Sequence, residues 1–308
     1  MEMKATREAY GKALIEIGKN EKVVVLDADL SGSTKSADFK KVYPERFFNM
    51  GIAESSMVGT AAGMALSGLK PYASSFAVFV TGRAFEPIRQ SICYQNLDVV
   101  LCGSHSGISV GEDGGSHQSV ADIALMRSLP NMKVVVPCDY NEAFLAVKAS
   151  LEIEGPLYIR TSRAKSPILT SIDDKFELGK AKILKEGSDT AIVACGMMSY
   201  IALEAAKLLE KEGISVAVVN SPSIKPLDEE TIFTLSKNVS KIFTLEEHSV
   251  IGGLGGAVSE FLSENNPVAI HKIGLEDVFG ESGTKDDLFC KYGFTKESVA
   301  ERIKKKLG

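Results

Sequence analysis

No apolar run in this chain approaches the ~20 residues that a membrane span needs. Residues 1–11 are charged and lack the apolar stretch of a secretory leader. No membrane partner is expected, and the expected location is cytoplasmic. An excess of positive charge is also missing. Lys and Arg total 35 against 40 Asp and Glu, for a net charge of -5. The basic residues are scattered, so nothing supplies the field that holds a nucleic acid. The five cysteines, Cys93, Cys102, Cys138, Cys195 and Cys290, are an odd set without a C-x-x-C pair. That excludes a disulfide framework and predicts reduced, mostly buried thiols. The four histidines, His105, His117, His248 and His271, are too dispersed for a closed metal site, and no metal bound by this chain alone is expected. Repeats of fixed period are missing, and so is the G-x-S-x-G elbow that would point to hydrolysis.

What is present is an ordinary globular composition: 308 residues, 44% hydrophobic and 24% charged, enough for two domains. Short β-branched runs at 23–26, 99–102, 134–136 and 157–159 alternate with helical patterns. This is the βαβ rhythm of a parallel sheet covered on both faces. Residues 164–175 break the rhythm and read as a connector. A second series follows, with strands near 190–194, 216–219 and 242–245 and helices near 201–211 and 255–263. The expected fold class is therefore α/β, with a first domain at 1–165, a linker at 166–187 and a smaller α/β domain at 188–308. The second series carries few polar clusters of catalytic type, which places the chemistry in the first.

Open parallel sheets bind ligands beyond the carboxyl ends of their strands. Three such ends are polar here: DADLSGS at 27–33, the loop at 103–119, and RTSR at 160–163. The loop gathers His105, Glu112, Asp113 and His117 among five glycines, acid–base groups on a backbone free to take unusual dihedrals. A mobile, merely solvated loop is the alternative. Glu54 begins a segment rich in small residues, Gly59, Ala61, Ala62, Gly63 and Ala65, that permits close backbone approach at a helix or subunit contact. A lone glutamate there is more often a helix-end charge than a catalyst, and its apolar surroundings keep the second reading open. Phe76 and Phe79 would by themselves be core residues. Arg163, at a strand end beside hydroxyls, is well placed for a phosphate. The glycine run at 252–256 lacks G-x-G-x-x-G spacing and reads as tight packing.

Together these segments resemble the transketolase family over nearly the whole chain, matching the C-terminal half of the single-chain enzyme. The carrying motifs are ATR at 5–7, DADLSGS at 27–33, FFNMGIAE at 47–54, SSFAVF at 74–79, GSHSGISVGEDGGSHQ at 103–118, RSLPN at 127–131 and RTSR at 160–163. The resemblance implies the pyrimidine-binding domain of thiamine-diphosphate enzymes followed by a C-terminal domain. It assigns Glu54 to a pyrimidine ring nitrogen of thiamine diphosphate, Phe76 and Phe79 to the packing around that ring, and Asp29 to the cofactor's surroundings at a subunit interface. It assigns Asp113 and His117 to the hydroxyl and carbonyl side of the donor sugar, and Arg7, Ser33, His105 and Arg163 to its distal end and phosphate. Glu54, Asp113 and His117 are the implied catalytic set. One departure is Gly82, which sits like an insertion where some relatives place a third aromatic. Another is the missing G-D-G…N motif, which in the family holds the diphosphate and its metal. The implied partner is therefore an N-terminal transketolase subunit that holds the diphosphate and Mg2+ or Ca2+, with self-association to an α2β2 heterotetramer and sugar phosphates as substrates. Rival readings are the β subunit of a 2-oxoacid dehydrogenase E1 component, disfavoured by GEDGGSHQ and RTSR, and a part of a deoxyxylulose-phosphate synthase-like enzyme. A non-catalytic protein of the same fold would be expected to lose Glu54 or Asp113.

Overall fold

A computed structural model describes residues 2–308. The runs read as strands form two sheets, because Val and Ile crowd segments buried on both faces and leave no polar alternation. The larger has seven strands in the order Ser223–Lys225, Lys133–Val135, Leu157–Arg160, Val100–Ser104, Lys70–Phe76, Val23–Asp27 and Phe47–Asn49. All pair in parallel except Ser223–Lys225, which joins from the second half of the chain and runs antiparallel at the edge. The smaller sheet has five, in the order Ala269–Leu275, Lys241–Ser249, Thr190–Ala194, Val216–Asn220 and Lys182–Lys185. The fold is thus α/β with parallel-rich sheets, as expected.

The connector differs from its sequence reading. Lys165–Pro167 pairs antiparallel with Met3–Ala5, and Lys182–Lys185 is the antiparallel edge of the smaller sheet. Both are short and partly exposed, so neither carries the apolar run that betrays a central strand. Cys93, Cys102, Cys138 and Cys195 are buried and Cys290 is exposed, all as free thiols. Among the described residues no helix is long and apolar enough to cross a membrane.

Buried tyrosines tie the layers together by hydroxyl bonds that remove the cost of burying their polar ends. Tyr10 meets Ser74 Oγ at 2.6 Å, Tyr72 meets Ser150 Oγ at 2.7 Å and Tyr158 donates to Asp122 Oδ2 at 2.7 Å. Gly103 has to be glycine, since a Cβ there would overlap the Tyr158 ring. Helix Glu54–Leu66 buries Met57, Val58, Ala61 and Ala62 against the sheet. Its opposite face is open, and a Cβ on Gly59 or Gly63 would meet nothing within 4 Å. The glycine run opens helix Leu254–Asn265. Glu246 accepts the N–H groups of Leu254 at 2.7 Å and Gly255 at 2.8 Å, and a Cβ on Gly253 would collide with that carboxylate. Those glycines serve packing.

Candidate active site

Five neighbouring strands of the larger sheet deliver the residues singled out above. Asp29 and Ser33 follow Val23–Asp27, Glu54 follows Phe47–Asn49, Phe76 ends Lys70–Phe76, His105 follows Val100–Ser104 and Arg163 follows Leu157–Arg160. All stand at carboxyl ends, the edge where such sheets bind ligands. Arg7 arrives differently. Pairing of Met3–Ala5 with Lys165–Pro167 starts helix Thr6–Ile17 beside RTSR, and the Ser162 N–H closes the join by donating to Thr6 Oγ1 at 2.7 Å.

At the centre is an aromatic cluster. The Phe76 ring stacks on His105 with centroids 3.8 Å apart and on Phe79 at 5.8 Å, and His117 meets Phe79 edge-on at 5.3 Å. Arg7 Nη1 donates to Ser33 O at 2.9 Å and lies 3.2 Å from His105 Nε2. A guanidinium only donates, so Nε2 accepts, and Nδ1, 2.9 Å from Ser104 Oγ, carries the proton of the neutral ring. Burial, then the charges of Arg7 and Arg163, push this imidazole down to about 3, so it stays neutral across the physiological range.

Arg163 Nη1 donates to Val110 O at 3.0 Å and lies 3.2 Å from Asp113 Oδ2. Burial, then the like charge of Arg163, lowers the pKa of Arg7 below the usual guanidinium value. The Nε of Arg7 is buried with no hydrogen-bond partner. Two guanidiniums in each other's field, one with an orphan donor, are complementary to an anion.

Glu54 is buried as the first residue of its helix, and its Oε1 accepts from Arg83 Nη1 at 3.0 Å. The Arg83 guanidinium also lies 4.1 Å from the centroid of the Phe79 ring. A planar cation that faces Phe79 and donates to Glu54 makes the two contacts a protonated aminopyrimidine would make. The side chains present therefore suit that ring. In sequence Gly82 was singled out and Arg83 beside it was not. The spacing of Phe79 and Arg83, four apart on helix Ala77–Arg83, was the available signal.

Asp29 and Asp113 sit less centrally, outside the aromatic cluster. Asp29, exposed and in the left-handed region at φ 64, accepts from Asn49 Nδ2 at 2.8 Å. Asp113 pairs with Arg163, while His117 Nδ1 contacts Ser116 Oγ at 2.9 Å. Arg160, grouped with Arg163 in sequence, is instead buried against Asp122 with Nε 2.7 Å from Oδ2. The turn carrying Asp29 and Ser33 is organised by Asp27, which accepts from Leu30 N–H at 2.6 Å, Thr34 Oγ1 at 2.7 Å and Ser36 Oγ at 2.8 Å. Burial raises the Asp27 carboxyl to about 6.

Comparison with known proteins identifies both domains. The family profile for the transketolase pyrimidine-binding domain matches residues 2–167, and that for the transketolase C-terminal domain matches residues 179–299. A Methanocaldococcus jannaschii protein, provisionally named a transketolase C-terminal section, is 47% identical over 304 residues, covering 97% of this chain and 95% of its own. The 6-deoxy-6-sulfo-D-fructose transketolase subunit of a Clostridium species is 38% identical, covering 95% of this chain and 91% of its own. A solved split-gene transketolase, described as an inactive beta4 tetramer, is 54% identical with a TM-score of 0.92, covering 98% of each chain. The chain belongs to the transketolase family, as a C-terminal section that joins the pyrimidine-binding domain to the C-terminal domain.

Proposed function

We propose that this chain is the C-terminal subunit of a two-subunit transketolase, which transfers a two-carbon ketol unit from a ketose phosphate to an aldose phosphate. The observation that carries this reading is the Arg7–Arg163 pair, with the orphan Nε of Arg7, on the same sheet edge as Glu54 and the Phe76–Phe79 stack. A 2-oxoacid offers only a monoanionic carboxylate bonded directly to its reacting carbonyl, whereas the distal phosphate dianion of a ketose phosphate matches two cations. Thiamine diphosphate, when bound, supplies the carbon nucleophile that accepts the ketol unit.

Each residue then has a task. Glu54 holds and moves a proton at a pyrimidine ring nitrogen, Phe76 and Phe79 flank the ring, and Asp29 stands near it at the subunit boundary. His117 and Asp113 bond the carbonyl and hydroxyls of the donor. Arg7, Ser33 and Arg163 take its phosphate end. His105 spends its Nε2 lone pair on Arg7, so it serves this end by aiming the guanidinium.

A separate N-terminal subunit would hold the diphosphate and its Mg2+ or Ca2+. Support comes from the split-gene relative, whose tetramer of β chains is described as inactive, and from the Clostridium relative, named as a subunit. The open Gly59 and Gly63 face of helix Glu54–Leu66 leaves room for close approach of a second chain in an α2β2 assembly. Calorimetry with thiamine diphosphate and a coupled ketol-transfer assay, on the chain alone and with its partner, test the proposal. Tight cofactor binding and activity are expected only in the reconstituted complex, and strong activity of the chain alone would overturn the two-subunit reading.

A further inference from the structure

The loop at 103–119 is held from outside its own domain. On strand Lys241–Ser249 of the smaller sheet, three consecutive residues hold its interior at Ser109 and the segment that follows it at 120–124. The buried Glu247 carboxylate accepts the Ser109 N–H through Oε1 and the Ser109 hydroxyl through Oε2 at 3.2 Å. His248 Nε2 accepts from Ala124 N–H at 3.3 Å, and Ser249 N–H donates to Val120 O at 2.8 Å. Arg160 Nη2 joins the two sides, donating to Ser119 O at 3.2 Å and to Glu247 O at 2.9 Å.

The fit around the Glu247 carboxylate leaves no slack. Gly107 adopts φ 75, and a Cβ there would overlap the carboxyl group. The turn at 107–109 separates His105, stacked on Phe76, from Asp113 and His117 farther along. Its conformation sets the spacing between the group that aims Arg7 and the groups proposed to bond the sugar. Among the described residues no other group accepts from the Ser109 N–H, so loss of the carboxylate would leave a buried donor unpaired at that turn.

We infer that Glu247 of the C-terminal domain is a positioning residue for donor binding, fixing the turn at 107–109 without touching substrate or cofactor. This rests on the ketol-transfer reading for its kinetic part. Displacing catalytic groups by ~1 Å can cost up to about 100-fold.

The test uses the chain reconstituted with its partner. Glu247→Ala and the shorter Glu247→Asp are expected to raise the KM for a phosphorylated ketose by at least about tenfold, with thiamine diphosphate affinity unchanged. Glu247→Gln, whose amide oxygen still accepts the Ser109 N–H, is expected to restore KM to within about threefold of wild type. Hydrogen exchange at 107–109, read by mass spectrometry on the same samples, should quicken in the Ala and Asp variants but not in Gln. Wild-type KM in both Ala and Asp would overturn the inference, as would an equal loss of cofactor affinity. Should the wild-type complex transfer no ketol units, the functional reading fails, and exchange at 107–109 still decides whether Glu247 holds the turn.

Discussion

The Glu54 carboxylate and the Arg83 guanidinium face each other at 3.0 Å, with Arg83 lying over the Phe79 ring. The carboxylate is buried while Arg83 is 51% exposed. An ion pair with one half in water is worth ~1 kcal/mol or less. Arg83 therefore occupies the contacts of Glu54 and Phe79 without locking them.

Replacing Arg83 by Met keeps the apolar stem over Phe79 and removes the competing charge. Thiamine diphosphate should bind the reconstituted complex up to about fivefold more tightly, the affinity equivalent of ~1 kcal/mol. Calorimetry decides, and weaker binding would show that Arg83 is itself a cofactor contact.

The two arginines of the anion site should be separable from the sugar-bonding groups. Charge-assisted hydrogen bonds contribute ~1.5–3 kcal/mol each, so Arg163→Ala or Arg7→Ala should raise the KM for phosphorylated donors by about 10- to 100-fold. An unphosphorylated ketose should be affected little. Equal losses for both donors would make the arginines structural. Arg7→Ala should also release His105 from its only cationic hydrogen bond, lifting the imidazole from its low value, a change visible in the titration of its ring protons by NMR.

Residues just past the central strands were legible in sequence for a simple reason. Central parallel strands such as Val23–Asp27 and Val100–Ser104 are buried throughout and open on apolar runs, so their ends, and the polar residues just past them, stand out. Met3–Ala5 and Lys182–Lys185 are edge strands with exposed positions, and their pairing depends on partners far away in the chain. Arg83 acquires meaning only when Glu54 is brought against it from another element. The same holds for Glu247. Its strand was read as ending near 245, but it runs to Ser249, with Glu246, Glu247 and His248 buried.

Domain packing carries its own pH signature through Glu142. Its Oε2 accepts from Cys138 N–H at 2.6 Å and its Oε1 from Asn220 Nδ2 at 2.8 Å, so it bridges the two halves of the chain. Burial pushes this carboxyl up to about 7 from its ordinary 4.5, even though the Cys138 N–H opposes the shift. Below the ordinary value it is protonated in folded and unfolded chains alike. As pH rises toward 7 the unfolded chain releases its proton first, the folded chain holds more protons, and stability falls. Relative to Glu142→Gln, the wild-type urea midpoint should therefore drop between about pH 5 and about pH 7.5. A parallel pair of curves would show that Glu142 does not titrate differently on folding.

Glu54 offers the sharpest test, because its two readings differ in kind. As a helix-end charge it contributes ~0.3–1 kcal/mol of stability and nothing to chemistry. As the group that moves a proton at the pyrimidine nitrogen it contributes ~10²–10⁴-fold in rate, the usual range for a positioned acid or base. Glu54→Gln keeps the size of the side chain and leaves an amide oxygen for Arg83. The stabilising interactions weakened are the helix-end charge and a half-exposed ion pair, so the melting temperature should fall by no more than a few degrees. Exchange of the thiazolium C2 proton for deuterium, followed by NMR in the reconstituted complex with cofactor bound, should slow by about 100-fold or more. Exchange at the wild-type rate would return Glu54 to the role of a helix-end charge held by Arg83. Slow exchange with an intact fold would place the proton-moving group of the shared active site on this chain.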